Sequence, residues 1–133
     1  MIVTPLYAGL LGLWFFVLSV RVVQGRGRFG INLGDGGNVL MIRRIRGHAN
    51  FVEYVPLTLL LIAILEFSHF SIYLIHALGL ALLIGRVLHG YAFGFTEHSR
   101  FGRMWGTALS FLVLLIAAGL CTYQGLRASA LWY

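Results

Sequence analysis

The sequence contains no lysine, one cysteine and only four acidic residues, and each scarcity excludes a kind of site or function. Cys121 cannot form a disulfide within the chain, and no spacing of cysteine and histidine resembles a metal site, so no metal is expected. The net charge of +6 therefore comes from arginine alone. Basic membrane proteins usually owe their charge to cytoplasmic loops, which makes nucleic-acid binding a poor explanation.

Apolar side chains dominate what is present. They make up 59% of the 133 residues, charged side chains make up 11%, and the mean hydropathy is +0.88, which does not describe a soluble domain. A membrane-spanning helix needs about 20 mostly apolar residues. Four runs qualify, and they predict an all-α, integral membrane four-helix bundle with helices at about 4–24, 39–66, 71–94 and 100–126.

No linker, low-complexity tract or internal repeat divides the chain, so residues 1–133 are expected to form one domain. The first apolar run is too long for a signal-peptide core and lacks a cleavage site, so it should remain in the mature protein. Polar residues that can cap a helix stand before each run. These residues are Thr4, Asn38, Ser71 and Ser99. Pro56 falls inside the second helix and should loosen that turn by removing a hydrogen bond to Val52.

The arginines are distributed unevenly between the loops. Those that border the first and third loops are Arg21, Arg26, Arg28, Arg43, Arg44, Arg46, Arg86, Arg100 and Arg103. The second loop has none, and Arg127 is the exception near the C-terminus. The positive-inside rule therefore predicts that both long loops face the cytoplasm and both termini lie outside.

Four polar residues of the second helix share one face. Arg46, Asn50, Glu53 and Tyr54 stand at positions i, i+4, i+7 and i+8. Because charge inside the hydrocarbon layer is costly, this face must pair its charges or line a wet cavity, and Glu53 needs a cationic partner. One interpretation is a structural ion pair with an arginine of another helix. The other is a site for a small zwitterionic or anionic ligand, since arginine binds carboxylates and Glu53 accepts an ammonium.

A second polar group lies at the end of the third helix and in the loop that follows. It comprises Arg86, His89, Tyr91, Glu97, His98, Arg100 and Arg103. Each residue alone is more typical of an interfacial anchor than of a ligand site, but both groups reach the same membrane surface. His76 is expected to make one interhelical hydrogen bond as a neutral ring, and Glu66 and His69 to form a solvated connection.

These residues carry a family resemblance. "RGHANFVEYVPL" resembles the arginine, asparagine, glutamate-tyrosine and proline signature of the membrane-associated proteins in eicosanoid and glutathione metabolism (MAPEG), which include microsomal glutathione transferases and leukotriene synthase. "SVRVVQGRGRF" resembles the end of the family's first helix and "GRVLHGYAF" its third, so the likeness covers nearly the whole chain. The short length and the "GDGG" loop are most similar to the small bacterial members, which implies a bacterial inner membrane.

The resemblance implies a homotrimer that binds glutathione between neighbouring subunits near the cytoplasmic surface. It further implies an enzyme that conjugates glutathione to lipophilic electrophiles, with peroxidase activity on lipid hydroperoxides as a second reaction. Arg26 would come from the adjacent subunit. The residues expected to bind glutathione are Ser19, Arg26, Arg46, His48, Asn50, Glu53, Tyr54, Arg86 and Tyr91.

The implied reaction needs a cation beside the thiol, because a thiol with a pKa of about 8.5 is mostly protonated at neutral pH. Relatives use an arginine near the start of the fourth helix. Arg100 matches it best, Arg103 second and His98 third; an ungapped count of seven residues from Tyr91 reaches His98. Two other functions stay open. One is a non-enzymatic lipid-binding or partner-presenting protein of the same superfamily, and the other, less favoured, is a channel or proton pathway.

Overall fold

The computed structural model describes residues 2–131, whose regular structure consists of four helices. They are α1 (Thr4–Phe29), α2 (Val39–Phe67), α3 (Ile72–Gly94) and α4 (Arg100–Ala130). Each is long and apolar enough to cross a membrane. The predicted all-α, four-helix membrane architecture is confirmed. The first and last helices continue to Phe29 and Ala130, beyond their predicted ends near residues 24 and 126.

Arginine side chains join three helices at one end of the bundle. The guanidinium of Arg21 in α1 donates to the carbonyl of Gly94, the last residue of α3, at 2.8 Å. Arg43 in α2 donates to the carbonyl of Ala92 at 2.7 Å. These cations meet the last carbonyls of a helix, which lack partners within the helix and carry partial negative charge. Both long loops lie at this end, which we call the arginine end.

Local capping was predicted correctly at two helices. The side chain of Asn38 accepts from the backbone N–H of Met41 at 3.0 Å at the start of α2. The hydroxyl of Ser99 accepts from the N–H of Gly102 at 3.4 Å at the start of α4. Ser71 stands at the N-cap position of α3 but makes no capping hydrogen bond with its side chain. Asn38 and Ser99 therefore fix the starts of α2 and α4 at the arginine end.

The start of α1 is capped by a residue from another helix, so the predictions for Thr4 and Glu66 were wrong. The carboxylate of Glu66, near the end of α2, accepts from the N–H groups of Val3 and Thr4 at 2.8 Å each, and also from that of Ile2. The hydroxyl of Thr4 donates to the same carboxylate at 2.5 Å. A negative charge at a helix N-terminus satisfies unpaired N–H groups and the helix dipole together.

Small residues bring α3 and α4 into close contact. A Cβ atom placed on Gly106 would lie 2.6 Å from the carbonyl oxygen of Gly85, and one on Gly102 would lie 2.9 Å from that of Leu88. Small residues four positions apart commonly allow such an approach between membrane helices. The close contact fixes the polar side chains of α3 and α4 relative to each other.

His76 links α3 to α1, as the sequence predicted. Its Nδ1 atom lies 3.0 Å from the hydroxyl of Tyr7, and the two rings meet edge to face. Tyr7 itself covers Gly79, where an added Cβ would lie 2.3 Å from the tyrosine ring.

Pro56 does not end α2, which continues to Phe67.

Candidate functional site

The polar face of α2 carries an exposed ion pair. Nη1 of Arg46 lies 3.5 Å from Oε1 of Glu53, and the two side chains are 54% and 47% exposed. The cationic partner of Glu53 is therefore on its own helix, two turns away, whereas the structural interpretation placed it on another helix. An exposed ion pair contributes little to stability. Arg46 and Glu53 can therefore give up their contact with each other and bind a ligand at small cost in free energy.

Arg86 lies behind this face and is buried, with only 2% of the residue exposed. Its guanidinium donates to Oδ1 of Asn50 at 2.7 Å, to the hydroxyl of Ser110 at 2.7 Å and to the carbonyl of Gly106 at 3.3 Å. One side chain thus connects α2, α3 and α4. Since arginine only donates hydrogen bonds, the oxygen of Asn50 must face Arg86, which leaves the amide NH₂ as a donor for a ligand.

The hydrogen-bond partners of Arg86 are all neutral. Within residues 2–131 the one ion pair joins Arg46 to Glu53, so no carboxylate neutralises the buried charge of Arg86. A buried charge that is hydrogen-bonded but not neutralised keeps a positive potential around it, because the surrounding protein screens it weakly. The open face beside Asn50 is therefore suited to an anionic group.

His89 joins the same group from α3. It is buried one turn after Arg86, and its ring stacks on Phe93 with centroids 4.7 Å apart. Its Cβ atom faces Gly106 of α4, where an added Cβ would lie 2.8 Å from it. His89 was not among the predicted site residues, although its i+3 spacing from Arg86 was a usable signal. We call Arg46, Asn50, Glu53, Arg86 and His89 the central cluster.

Tyr91 does not lie with the central cluster within the subunit. It stands about 200° around α3 from His89, is exposed, and stacks on Phe95 with centroids 5.4 Å apart. Phe95 in turn stacks on Trp14 of α1. Tyr91, which was predicted from the "GY" pair of the sequence, thus lies on the side of α3 that meets α1.

Three other predicted residues form a separate group, which we call the α1 cluster: Ser19, Arg26 and His48. The hydroxyl of Ser19 lies 3.1 Å from Nε2 of His48, whose ring stacks on Phe15. Ser19 and Arg26 share one face of α1 at positions i and i+7. Arg26 donates to the carbonyl of Gly34 in the first loop at 2.9 Å. His48 stands about 200° around α2 from Arg46, so the two clusters occupy different sides of the subunit.

The arginine candidates of α4 line a common cavity. Arg100 and Arg103 are both exposed and form its wall with Met104, Thr107 and Ala108, around a volume of about 440 Å³. His98 is exposed in the preceding loop and is not part of that wall. Tyr54 contacts Phe111 with ring centroids 5.2 Å apart, which places α4 against the polar face of α2. Arg100 stands eleven residues before Phe111 and shares its face of α4, so this contact turns the side of α4 that carries Arg100 towards the polar face of α2.

Comparison with known proteins gives a match over nearly the whole chain. A family model described as the MAPEG family matches residues 4–123. Two similar proteins are both named inner membrane protein YecN, one from Escherichia coli strain K12 and one from Escherichia coli O6:H1 strain CFT073. Each is 34% identical over 122 residues, which cover 89% of this chain and 90% of the relative. No solved structure matches the chain. The matched residues include both clusters, Arg100 and Arg103.

Proposed function

This chain belongs to the MAPEG family, and on that premise we propose that it is a membrane-bound glutathione transferase. In this proposal it activates glutathione as a thiolate and conjugates it to lipophilic electrophiles. One observation carries the proposal: the buried Arg86, with neutral partners alone, fixes Asn50 beside the exposed charges of Arg46 and Glu53. This arrangement offers a positive potential, a hydrogen-bond donor, an arginine and a carboxylate on one open face.

Glutathione has the complementary groups, since it carries two carboxylates and one ammonium. Glu53 accepts a hydrogen bond from the ammonium of the γ-glutamyl end. Arg46 donates to a carboxylate in a charge-assisted, bidentate contact. The NH₂ of Asn50 adds a neutral hydrogen bond. Arg86 acts from behind this face, because its own donors are occupied by Asn50, Ser110 and Gly106. Tyr54, one residue beyond Glu53, completes the binding face.

The site is completed by a neighbouring subunit in a homotrimer. The α1 cluster and the central cluster face different sides of one subunit, so one chain cannot bring both to the same ligand. A neighbour that supplies Ser19, Arg26 and His48 to the central cluster generates one complete site at each of three interfaces. The same contact covers Arg46 and Glu53, whose side chains are about half exposed in the single subunit.

Thiol activation is assigned to an arginine of α4. A cation beside the sulfur stabilises the thiolate, and Arg100 is the first candidate by motif, with Arg103 and His98 next. The thiol proton leaves to water, the sulfur forms a bond to the electrophilic carbon, and the leaving group departs with the bonding electrons. In the peroxidase reaction, two glutathione molecules become a disulfide while a lipid hydroperoxide becomes an alcohol and water.

The lipophilic substrate has a binding place next to these arginines. An apolar cavity of about 350 Å³ lies along α3 and α4. Its lining residues are Leu88, Phe101, Trp105, Ala108, Leu109 and Leu112. Ala108 also lines the cavity of Arg100 and Arg103, so the two cavities adjoin. A hydrophobic electrophile that partitions into the membrane can thus reach the thiolate from the lipid side.

The proposed location is the bacterial inner membrane, with the arginine end and both long loops in the cytoplasm. The name of the two Escherichia coli relatives and the arginine distribution support it. The test of function is titration of the purified protein with glutathione while thiolate absorbance and turnover of chlorodinitrobenzene are recorded. We expect saturable binding, a thiolate signal at neutral pH and turnover. Bound glutathione with neither thiolate nor turnover would instead favour the non-enzymatic lipid-binding or partner-presenting role.

A further inference from the structure

A second cationic cavity lies at the arginine end, between α1, α2 and α3. It has a volume of about 170 Å³, several times the roughly 30 Å³ that one water occupies in the liquid. Three guanidinium groups line it, those of Arg21, Arg28 and Arg44, together with Leu40 and the segment 93–97. We call it the arginine pocket. The proposed glutathione site uses none of its residues.

Packing holds two of the three arginines in position. Arg44 is only 8% exposed, donates to the carbonyl of Arg21 at 3.0 Å and lies over the ring of Phe29 at 5.6 Å. Its stem passes over Gly25, where an added Cβ would lie 3.1 Å from it. Arg21 is held by its two hydrogen bonds to the carbonyl of Gly94. Arg28 is exposed and makes no hydrogen bond with its side chain within the described chain.

The charges of the arginine pocket are unbalanced. One carboxylate, that of Glu97, lies on its wall against three guanidinium groups. Glu97 forms no ion pair with them among the residues that the structure describes. Guanidinium groups that are held together repel one another unless an anion lies between them, and their planar donors match the oxygens of phosphate.

The arginine pocket is separate from the two clusters of the proposed glutathione site. Arg21, Gly25 and Arg28 stand at i, i+4 and i+7 and share the face of α1 that meets the pocket. Arg26 lies about 200° around α1 from Arg28, and Arg46 lies about 200° around α2 from Arg44. An anion in the pocket therefore does not compete with a ligand held by Arg46 or Arg26.

An apolar groove continues from the arginine pocket along an exposed side of α1. It has a volume of about 400 Å³. Its lining residues are Phe16, Val17, Val20, Arg21, Gln24 and Phe95. Arg21 and Phe95 line both the groove and the pocket. The groove follows α1 from the charged end towards the middle of the span, which is the path of an acyl chain below its headgroup.

We propose that the arginine pocket binds the phosphate of an anionic phospholipid whose acyl chain lies in the apolar groove. Basic pockets between helices at the cytoplasmic surface commonly bind such headgroups. A free phosphate ion offers the same chemistry to the arginines but uses none of the groove. The groove therefore distinguishes the lipid from the ion.

The test is native mass spectrometry of the intact protein in mild detergent, titrated with phosphatidylglycerol, phosphatidylcholine or inorganic phosphate. Phosphatidylglycerol should bind at least fivefold more tightly than phosphatidylcholine and remain bound where inorganic phosphate does not. Arg28→Gln removes a charge that supports no backbone group and should weaken phosphatidylglycerol binding about fivefold. Val20→Trp, which fills the groove, should weaken both lipids.

Arg127→Gln is the matched control, because it removes one charge from the end of α4 and should leave lipid binding unchanged. Thermal unfolding in detergent checks that each variant remains folded. Equal binding of the two lipids, or an equal loss in Arg28→Gln and Arg127→Gln, would overturn the proposal. If inorganic phosphate binds as tightly as phosphatidylglycerol and Val20→Trp has no effect, the pocket binds a free anion. That result would overturn the proposal of a bound phospholipid.

Discussion

The guanidinium of Arg86, inside the bundle, donates to the side-chain oxygen of Asn50 at 2.7 Å, so a buried cation orients an amide on the open face of α2. The same guanidinium also bonds to Ser110 and to the carbonyl of Gly106. The residue therefore serves the fold and the site together. Its planar, branched shape is what allows three partners on two other helices.

Arg86→Lys should keep the charge but lose at least one of these hydrogen bonds. We expect thermal unfolding in detergent to show a loss of about 1–3 kcal/mol, the range for a buried polar group left without its partner, and glutathione affinity to fall as well. Arg127→Lys is the control, because Arg127 is exposed near the end of α4. Unchanged stability and affinity in Arg86→Lys would show that positive charge alone is sufficient at this position.

Glu53→Gln should weaken glutathione binding by about 1.5–3 kcal/mol, because a charge-assisted hydrogen bond to the ammonium is lost. Stability should change little, since the pair of Glu53 with Arg46 is half exposed. Isothermal titration and thermal unfolding measure the two effects separately. A destabilised protein with unchanged affinity would assign Glu53 to a structural ion pair instead.

Mixed trimers test whether the site lies between subunits. Arg26→Ala and Glu53→Gln should each bind glutathione weakly as pure trimers. When the two variants are assembled together, some interfaces pair an intact Arg26 of one subunit with an intact Glu53 of its neighbour. Binding and turnover should then recover in part. Native mass spectrometry confirms the mixed composition, and mixed trimers without recovery would place both residues in one subunit's site.

Glu66→Ala should destabilise the fold without affecting the glutathione site. The substitution leaves the N–H groups of Val3 and Thr4 without their acceptor, and losing a helix cap costs about 1–2 kcal/mol. Glu66→Gln keeps an acceptor oxygen and should lose less. Thermal unfolding measures both variants, and a melting temperature unchanged in Glu66→Ala would refute the capping role. Glutathione affinity should stay at the wild-type value, because Glu66 lies at the end of the bundle opposite to the arginine end.

Features set by local sequence were predictable, whereas those set by packing were not. Asn38 and Ser99 cap helices that begin a few residues later, so a short window of sequence contains the signal. The cap of α1 comes from Glu66, which is 62 residues from Thr4, and only tertiary packing brings them together. The first helix was predicted to end near residue 24, but α1 continues past Gly25, because this glycine packs against the side chains of Met41 and Arg44.

The same division applies to the candidate site. Helical periodicity correctly grouped Arg46, Asn50 and Glu53 on one face, since their spacing alone defines their relative angles. Periodicity does not say which face of α3 turns towards α2. That rotation is set by the close contact of Gly85 with Gly106, which directs Arg86 into the bundle and leaves Tyr91 on the other side.

Thiol activation is tested most directly by the thiolate absorbance of glutathione bound to the wild-type protein at neutral pH, compared with Arg100→Ala and Arg103→Ala. We expect a thiolate signal in the wild type. In Arg100→Ala we expect a reduced signal with affinity changed only a few-fold and partial recovery of turnover at high pH, where the thiol ionises unaided; Arg100→Lys should lose less. A reduced signal in Arg103→Ala alone would transfer the role to Arg103. Wild-type protein that binds glutathione but gives no thiolate signal would contradict the claim that this membrane protein activates glutathione.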